Sequence, residues 1–164
     1  MPWEFGLSIE CASKKAAESM SAYFQGNNPL SSDDKIFDLH IYTYGIGKAP
    51  IHCWWCVVSV KDGQTNDFFN SSDCPQTATD LVLQLYQRLA KAPRLFRYAL
   101  AGTETSEFRG YDEFVKMEQD EIALFPGLVM SEALYWRLGT PPDFIAFCPG
   151  YIWKPYSTMN EIDC

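Results

Sequence analysis

The sequence predicts an α+β fold, and three observations lead to this prediction. Apolar and polar residues alternate in several short segments, as they do along half-buried strands. Between these segments apolar residues recur at helical spacing, and stretches rich in Gly, Pro and Asn separate the elements. Over residues 1–102 the order is strand, helix, strand, strand, helix, strand. This is the split βαβ, or ferredoxin-like, arrangement, in which both helices lie on one face of an antiparallel sheet.

Each element of this core depends on a local pattern. Residues 3–11 alternate between apolar and polar side chains, Ser13 can cap the helix that follows, and Thr77 with Asp80 resembles a capping box. In chain order, the predicted elements are a strand over 3–11, a helix over 14–25, strands over 36–44 and 51–60, a helix that begins after Thr77 and ends before Pro93, and a strand over 95–102.

Residues 103–164 are predicted to form an α-rich, aromatic extension packed on the core, so that residues 1–164 make a single domain. The predicted elements here are a helix over 111–124, a short helix over 131–138 that Gly139 ends, and a short strand over 144–147. The tail over 148–156 is too aromatic for a dangling end, and we expect it to pack on the body of the domain.

The composition argues against some classes of partner. The chain has 13 Lys and Arg against 21 Asp and Glu among its 164 residues, a formal net charge of −8. Phosphate binding depends on clustered cations, so this balance argues against nucleic acids and anionic membranes as partners. An acidic surface instead attracts and steers a basic protein partner.

The amino-terminal residues and the cysteines predict a compartment. Residues 1–7 lack the basic segment before an apolar run that a secretion signal has. No apolar run approaches the roughly 18 to 20 residues of a membrane span. The six cysteines are scattered through a chain large enough to fold without disulfides, so we interpret them as reduced thiols. The sequence therefore predicts a soluble cytoplasmic protein.

The most motif-like string is Cys53-Trp54-Trp55-Cys56, with His52 beside it. Its β-branched and aromatic flanks predict a strand, in which residues three apart point to opposite faces. Cys53 and Cys56 can then neither form a disulfide with each other nor bind one zinc ion together. We therefore predict structural thiols and no cofactor or metal. A redox or zinc site is the alternative if this segment is not a strand.

The sheet face away from the helices holds the main candidates for binding. The residues expected there are Asp38, His40, Tyr42 and Tyr44 from the second strand, Cys53 and Trp55 from the third, and Glu4, Ser8 and Glu10 from the first. Tyr and Trp bury a large area at low entropic cost, so such a face suits recognition of a partner. The alternative is that the C-terminal third covers this face as a third layer.

The other polar groups leave more than one interpretation open. Glu113, Glu118, Asp120 and Glu121 form either a solvated helix face or an acidic patch for a basic partner. His40 and His52 are either general bases, metal ligands or partly buried polar residues. The sequence lacks a Gly-x-Ser-x-Gly motif and Gly-rich phosphate loops.

These features together resemble the immunity proteins of bacterial polymorphic toxin systems. The likeness lies in the chain's size and acidity, the Trp54-Trp55 strand, the aromatic tail with Tyr151, Trp153 and Tyr156, and the lack of a catalytic set. The resemblance implies tight binding to a cognate toxin domain and occlusion of its active site, without chemistry. It assigns no roles to individual residues.

Our leading hypothesis is a cytoplasmic, non-enzymatic binding protein that neutralises one toxin by steric and electrostatic occlusion. The predicted contacts are aromatic residues rimmed by carboxylates: Tyr42, Tyr44, Trp55, Glu113, Glu118 and Asp120. One alternative is a small enzyme or ligand-binding domain that uses His40, Cys53 and nearby carboxylates on the open sheet face. Another is a structural subunit of a larger complex. The sequence leaves the oligomeric state open.

Overall fold

The computed structural model describes residues 5–32, 34–50, 52–61, 74–103 and 108–155. The strands in this part of the chain are β1 Phe5–Cys11, β2 Leu30–Ser32, β3 Lys35–Ile46, β4 Cys53–Lys61, β5 Tyr98–Thr103, β6 Val129–Ser131, β7 Ile145–Cys148 and β8 Tyr151–Trp153. The helices are α1 Lys14–Gly26, α2 Cys74–Ala90, α3 Tyr111–Phe114, α4 Gln119–Ile122 and α5 Glu132–Arg137. The strands form one eight-stranded sheet in the order β2-β3-β4-β1-β5-β6-β8-β7, and every neighbouring pair is antiparallel.

The fold is α+β, but the ferredoxin-like prediction is wrong. A ferredoxin-like core ends its sheet with the strands predicted over residues 1–102, whereas this sheet continues past them on both sides. At one edge it gains β2, and at the other it gains β6, β8 and β7. The C-terminal region is therefore not an α-rich addition to a finished sheet. Segments as short as β2, β6 and β8 carry too few residues for alternation to reveal them, and pairing with longer neighbours stabilises them.

The predicted core elements are nevertheless present, although β4 and β5 begin later than predicted, at Cys53 and Tyr98. The strands predicted over 3–11, 36–44, 51–60 and 95–102 correspond to β1, β3, β4 and β5, with residues 3, 4 and 51 outside the described residues. Ser13 caps α1 as predicted, since its hydroxyl accepts the N–H of Ala16 at 3.1 Å. The second predicted helix is α2, which begins earlier than expected, at Cys74. Thr77 therefore lies within the helix, and the prediction that it caps the helix is wrong. The side chain of Thr77 lies outside the described part of the chain.

The first face of the sheet, as we call it, is the one that packs against α1 and α2. Its core combines alternate residues of the strands with the apolar sides of both helices. Fully or almost fully buried members are Leu7 and Ile9 of β1, Leu39 of β3, Val58 of β4, Met20 and Phe24 of α1, and Leu81, Leu85 and Tyr86 of α2.

The opposite, or second, face is covered by the C-terminal third of the chain. Trp55 and Val57 of β4 and Tyr98 and Leu100 of β5 are buried there against side chains from residues 114–138. The rings of Tyr98 and Phe114 stack with centroids 3.9 Å apart and planes 4° from parallel. This half of the face is therefore a third layer, as one of the two interpretations expected.

The prediction of one helix over 111–124 is wrong, because this segment contains two single-turn helices, α3 and α4. Glu118 is extended, with φ −81° and ψ 161°, and interrupts the helical path. Met117 and Ile122 are both buried in the second-face core. Residues five apart on one continuous helix would point about 140° away from each other. The break lets both side chains reach the same core.

The aromatic tail packs on the body, as predicted, by joining the sheet. β8 pairs with β6 on one side and with β7 on the other, and Trp153 is 1% exposed. The Tyr151 hydroxyl donates to the carbonyl oxygen of Phe96 at 2.6 Å. The predicted strand over 144–147 is β7, and the predicted helix over 131–138 is α5, with Ser131 as its N-cap. None of the helices in the described residues is both long enough and apolar enough to cross a bilayer.

Candidate functional site

A buried ion pair lies where β1, β4 and the segment before β5 meet. Glu10 has no exposed surface, and Arg97 donates to it from Nε to Oε2 at 2.8 Å and from Nη2 to Oε1. The same Nη2 donates to the carbonyl oxygen of His52 at 2.9 Å. The Arg97 guanidinium also lies 3.5 Å from the ring centroid of Tyr111, at the start of α3. Arg97 thus connects β1 and the start of β4 with the layer that covers the second face.

Cys53 is next to this pair and is partly buried. Burial raises the pKa of the Cys53 thiol to about 11; a hydrogen bond with the Tyr111 backbone opposes the rise, and the negative charge of Glu10 adds to it. Burial also raises the pKa of Glu10, against the hydrogen bonds and positive charge of Arg97. A thiol with such a pKa is protonated at neutral pH, and thiolates, not thiols, are the nucleophiles and metal ligands. The arrangement therefore does not activate Cys53.

Cys56 confirms the prediction that the two cysteines of the motif lie on opposite faces of a strand. It is buried in the first-face core and pairs with Ile9, while Cys53 packs against the second-face core. Burial raises the pKa of Cys56 to about 12 and also raises that of Cys11. Cys11, Cys53 and Cys56 are free thiols. The side chains of Cys74 and Cys164 lie outside the described part of the chain.

The two histidines do not come together with the described cysteine side chains in a metal site. His40 is exposed on β3, and its ring lies 5.4 Å from that of Tyr42 in an edge-to-face arrangement. His52 is also exposed, and its backbone carbonyl oxygen accepts a hydrogen bond from Arg97. Across the described ranges, no three His, Cys, Asp or Glu side chains are placed to hold a metal ion together.

The predicted aromatic contacts divide into two groups. Tyr42 and Tyr44 are half-buried on the second face, and their rings stack with centroids 6.1 Å apart. They pack against the edge of the second-face core, and Asp38 and His40 of the same strand are exposed. Trp55, in contrast, is 1% exposed and packs edge-to-face on Tyr98. Its indole therefore belongs to the core and does not reach a partner.

The predicted acidic contacts are all at the surface. Glu113 is on α3, Glu118 precedes α4, and Asp120 is on α4; all three are exposed. The buried residues of these two helices, Phe114 and Ile122, pack into the core that Tyr42 and Tyr44 border. The structure thus places the carboxylates and the two tyrosines on the same side of the sheet. Glu121 differs from the others, because it forms an ion pair with Arg109 at 3.2 Å.

Sequence reasoning missed Arg97. The alternation of residues 3–11 placed Glu10 among the polar residues of β1, but it did not predict that Glu10 is buried. Glu10 and Arg97 are 87 positions apart. The usable signal was indirect: a carboxylate on a central strand of a sheet needs a cation nearby, although the sequence does not say which one.

Comparison of the chain with protein-family models, with curated proteins and with solved structures finds no match.

Proposed function

We propose that this protein is a non-enzymatic binding protein that neutralises a cognate toxin domain in the bacterial cytoplasm by covering its active site. The observation that carries the proposal is the second face, where exposed carboxylates on α3 and α4 accompany the half-buried tyrosines of β3. The aromatic rings supply contact area at low entropic cost, and the carboxylates attract a basic partner. Of the six predicted contacts, Tyr42, Tyr44, Glu113, Glu118 and Asp120 remain, and Trp55 is removed because it is buried.

The chemistry-bearing side chains favour binding over catalysis. Glu10 is enclosed by Arg97, and the Cys53 thiol has a raised pKa, so neither offers a base or a nucleophile at neutral pH. The net charge of −8 also suits a partner with a basic active-site cleft, such as a domain that acts on nucleic acid.

The first experiment is a growth assay. Bacteria would express the gene encoded next to that of this chain, alone and together with this chain. We expect growth arrest that only co-expression relieves. A harmless neighbour, or arrest that this chain does not relieve, would contradict the proposal.

A kinetic experiment with that toxin domain then tests the acidic contacts. The variants Glu118→Lys and Asp120→Lys should lower the association rate on the order of tenfold at low salt, and the difference should shrink as salt rises. Glu18→Lys is the matched control, since Glu18 is exposed on α1, which covers the first face. Equal association rates for all three variants would show that Glu118 and Asp120 do not steer the partner.

A further inference from the structure

Among the residues that the structure describes, β3 has a long stretch of outer edge with no neighbouring strand. β2 pairs with β3 only from Lys35 to Phe37, whereas β4 pairs with residues 38–46 on the other side. Within the ranges that the structure describes, no strand lies along the outer edge of residues 38–46.

The backbone groups that point outward can be identified. The N–H of Leu39 faces the outer edge, because it donates to Oδ1 of Asn28 at 3.0 Å. The direction of the hydrogen-bonding groups alternates along a strand. The N–H and C=O groups of Ile41, Thr43 and Gly45 therefore also face outward. They are placed to pair with a further strand.

The terminal strands of the sheet are protected in ways that this part of β3 is not. β2 has only three residues. β7 has four residues, and its pairing with β8 contains a register shift between Ala146 and Cys148. Short strands and bulges discourage pairing at an edge, as do Pro and Lys. Residues 38–46 contain no Pro or Lys, are in continuous register with β4, and are rich in β-branched and aromatic residues.

We infer that two copies of this chain pair antiparallel along this edge, with Thr43 of each copy opposite Thr43 of the other. The outward groups of Ile41 then meet those of Gly45 in the second copy, and a glycine in a strand permits close approach of another backbone. On the second face, Tyr42 lies opposite Tyr44 of the second copy. Such cross-strand aromatic pairs stabilise antiparallel strands. Asn28 occupies the N–H of Leu39, so the pairing covers residues 41–45.

The local charge favours a second copy as the occupant. The whole chain is strongly acidic, but Asp38 and Lys48 flank residues 41–45 with opposite charges. The two-fold register brings Asp38 towards Lys48 of the second copy. Two copies can therefore meet here without the repulsion that contact between their acidic surfaces would produce. The tyrosines of both copies would form one continuous row on the second face.

The direct test is sedimentation equilibrium of the full chain over a dilution series. We expect the average mass to rise with concentration towards that of a dimer. Thr43→Pro removes the central outward donor but no bond to β4, and Pro is tolerated on edge strands. It should weaken association about tenfold or more. Circular dichroism checks that the variant is folded.

A cross-linking experiment keeps the inference testable even if Thr43→Pro does not fold. Opposed residues of a hydrogen-bonded antiparallel pair have Cα atoms about 5.5 Å apart, within the range of a disulfide. Mild oxidation of Thr43→Cys should link the two copies through position 43. Glu18→Cys, at an exposed site on α1, is the control and should link far more slowly. Mass spectrometry identifies the linked positions.

Two outcomes would overturn the inference. One is a chain that stays monomeric at every concentration, including a monomer whose Ile41, Thr43 and Gly45 amides exchange slowly because a segment of its own covers the edge. The other is a dimer that folded Thr43→Pro leaves intact and in which position 43 does not cross-link. Because the pairing needs no other protein, failure of the toxin-binding proposal would not affect this result.

Discussion

At the scale of single residues, the Glu10–Arg97 pair is the most demanding feature of the molecule. Moving a carboxylate out of water costs several kcal/mol unless a cation and hydrogen bonds compensate for it. Glu10 is wholly buried and receives two hydrogen bonds from Arg97, whose side chain is 22% exposed. The stacking of Arg97 on Tyr111 adds a contact with the layer above. Loss of either partner should therefore disturb both the sheet and that layer.

Arg97→Leu leaves the Glu10 carboxylate buried without a counter-charge, and we expect it to lower the free energy of unfolding by about 3–5 kcal/mol. Glu10→Leu combined with Arg97→Leu should recover part of this loss, since no uncompensated charge remains. The control is Glu18→Gln, which breaks the exposed Lys14–Glu18 pair at 4.0 Å and should cost less than about 0.5 kcal/mol. Urea denaturation measures all three. Equal effects of Arg97→Leu and Glu18→Gln would contradict this account.

The buried Cys56 thiol predicts a pH dependence. Its pKa is 9.0 when unperturbed, and burial raises it to about 12 in the folded protein. Between these values the folded state retains a proton that the unfolded state releases, so the free energy of unfolding falls as the pH rises. The contribution is fully present below pH 9.0 and is lost by about 1.4 kcal/mol per pH unit above it.

Cys56→Ala removes this titration and should make the alkaline decline in stability shallower, although cavity formation lowers stability at every pH. Denaturant unfolding between about pH 8 and pH 10.5 gives the two slopes. Parallel curves for the wild type and the variant would show that Cys56 ionises equally easily in the folded and unfolded states.

At the scale of elements, β1 is the most constrained strand. It lies between β4 and β5, and all seven of its residues are buried. A Cβ atom on Gly6 would lie 2.4 Å from the carbonyl oxygen of Val58, which is backbone and cannot move aside without displacing β4. The glycine is thus required by the close approach of two strands.

We expect Gly6→Ala to destabilise the protein by about 1–3 kcal/mol or more, because the added methyl group forces β1 and β4 apart. Gly26→Ala is the matched control. A Cβ at Gly26 would meet nothing within 4 Å, so this change should be neutral or stabilise by up to about 1 kcal/mol. Thermal unfolding of both variants decides the matter. A Gly6→Ala protein that folds and is as stable as the wild type would mean that the strands separate more easily than this packing implies.

At the scale of the whole molecule, the C-terminal third completes both the sheet and the core. β6, β8 and β7 extend the sheet beyond β5, and residues 114–138 bury the aromatic and aliphatic side chains of the second face. Tyr86 of α2 connects the C-terminal third with β5. Its hydroxyl donates to the carbonyl oxygen of Gly127 at 2.6 Å and accepts a hydrogen bond from the N–H of Ala101 at 3.1 Å. The region predicted as an extension is thus integral to the fold.

A chain that ends at Thr103 should therefore fail to fold cooperatively. It would expose Trp55, Val57, Tyr98 and Leu100 together, and patches of this kind cause aggregation. We expect weak near-ultraviolet circular dichroism, binding of a hydrophobic dye and no sharp unfolding transition. A truncated chain with a cooperative transition and native-like aromatic signals would show that residues 5–103 are an independent unit.

The features that depend on local periodicity can be predicted from the sequence. The long elements α1, α2, β1, β3, β4 and β5, the Ser13 cap and the opposite faces of Cys53 and Cys56 all follow from patterns within about a dozen residues. The surface positions of Glu113, Glu118 and Asp120 also follow from their charge.

The remaining features follow from tertiary packing: the extent of the sheet, the break at Glu118, the burial of Trp55 and the pairing of Glu10 with Arg97. Each of these depends on residues far apart in the chain. Short strands form only when a neighbouring strand supplies hydrogen bonds. A helix is interrupted where side chains on two of its faces must be buried in the same core. Likewise, a polar or aromatic residue is buried only when another layer covers it.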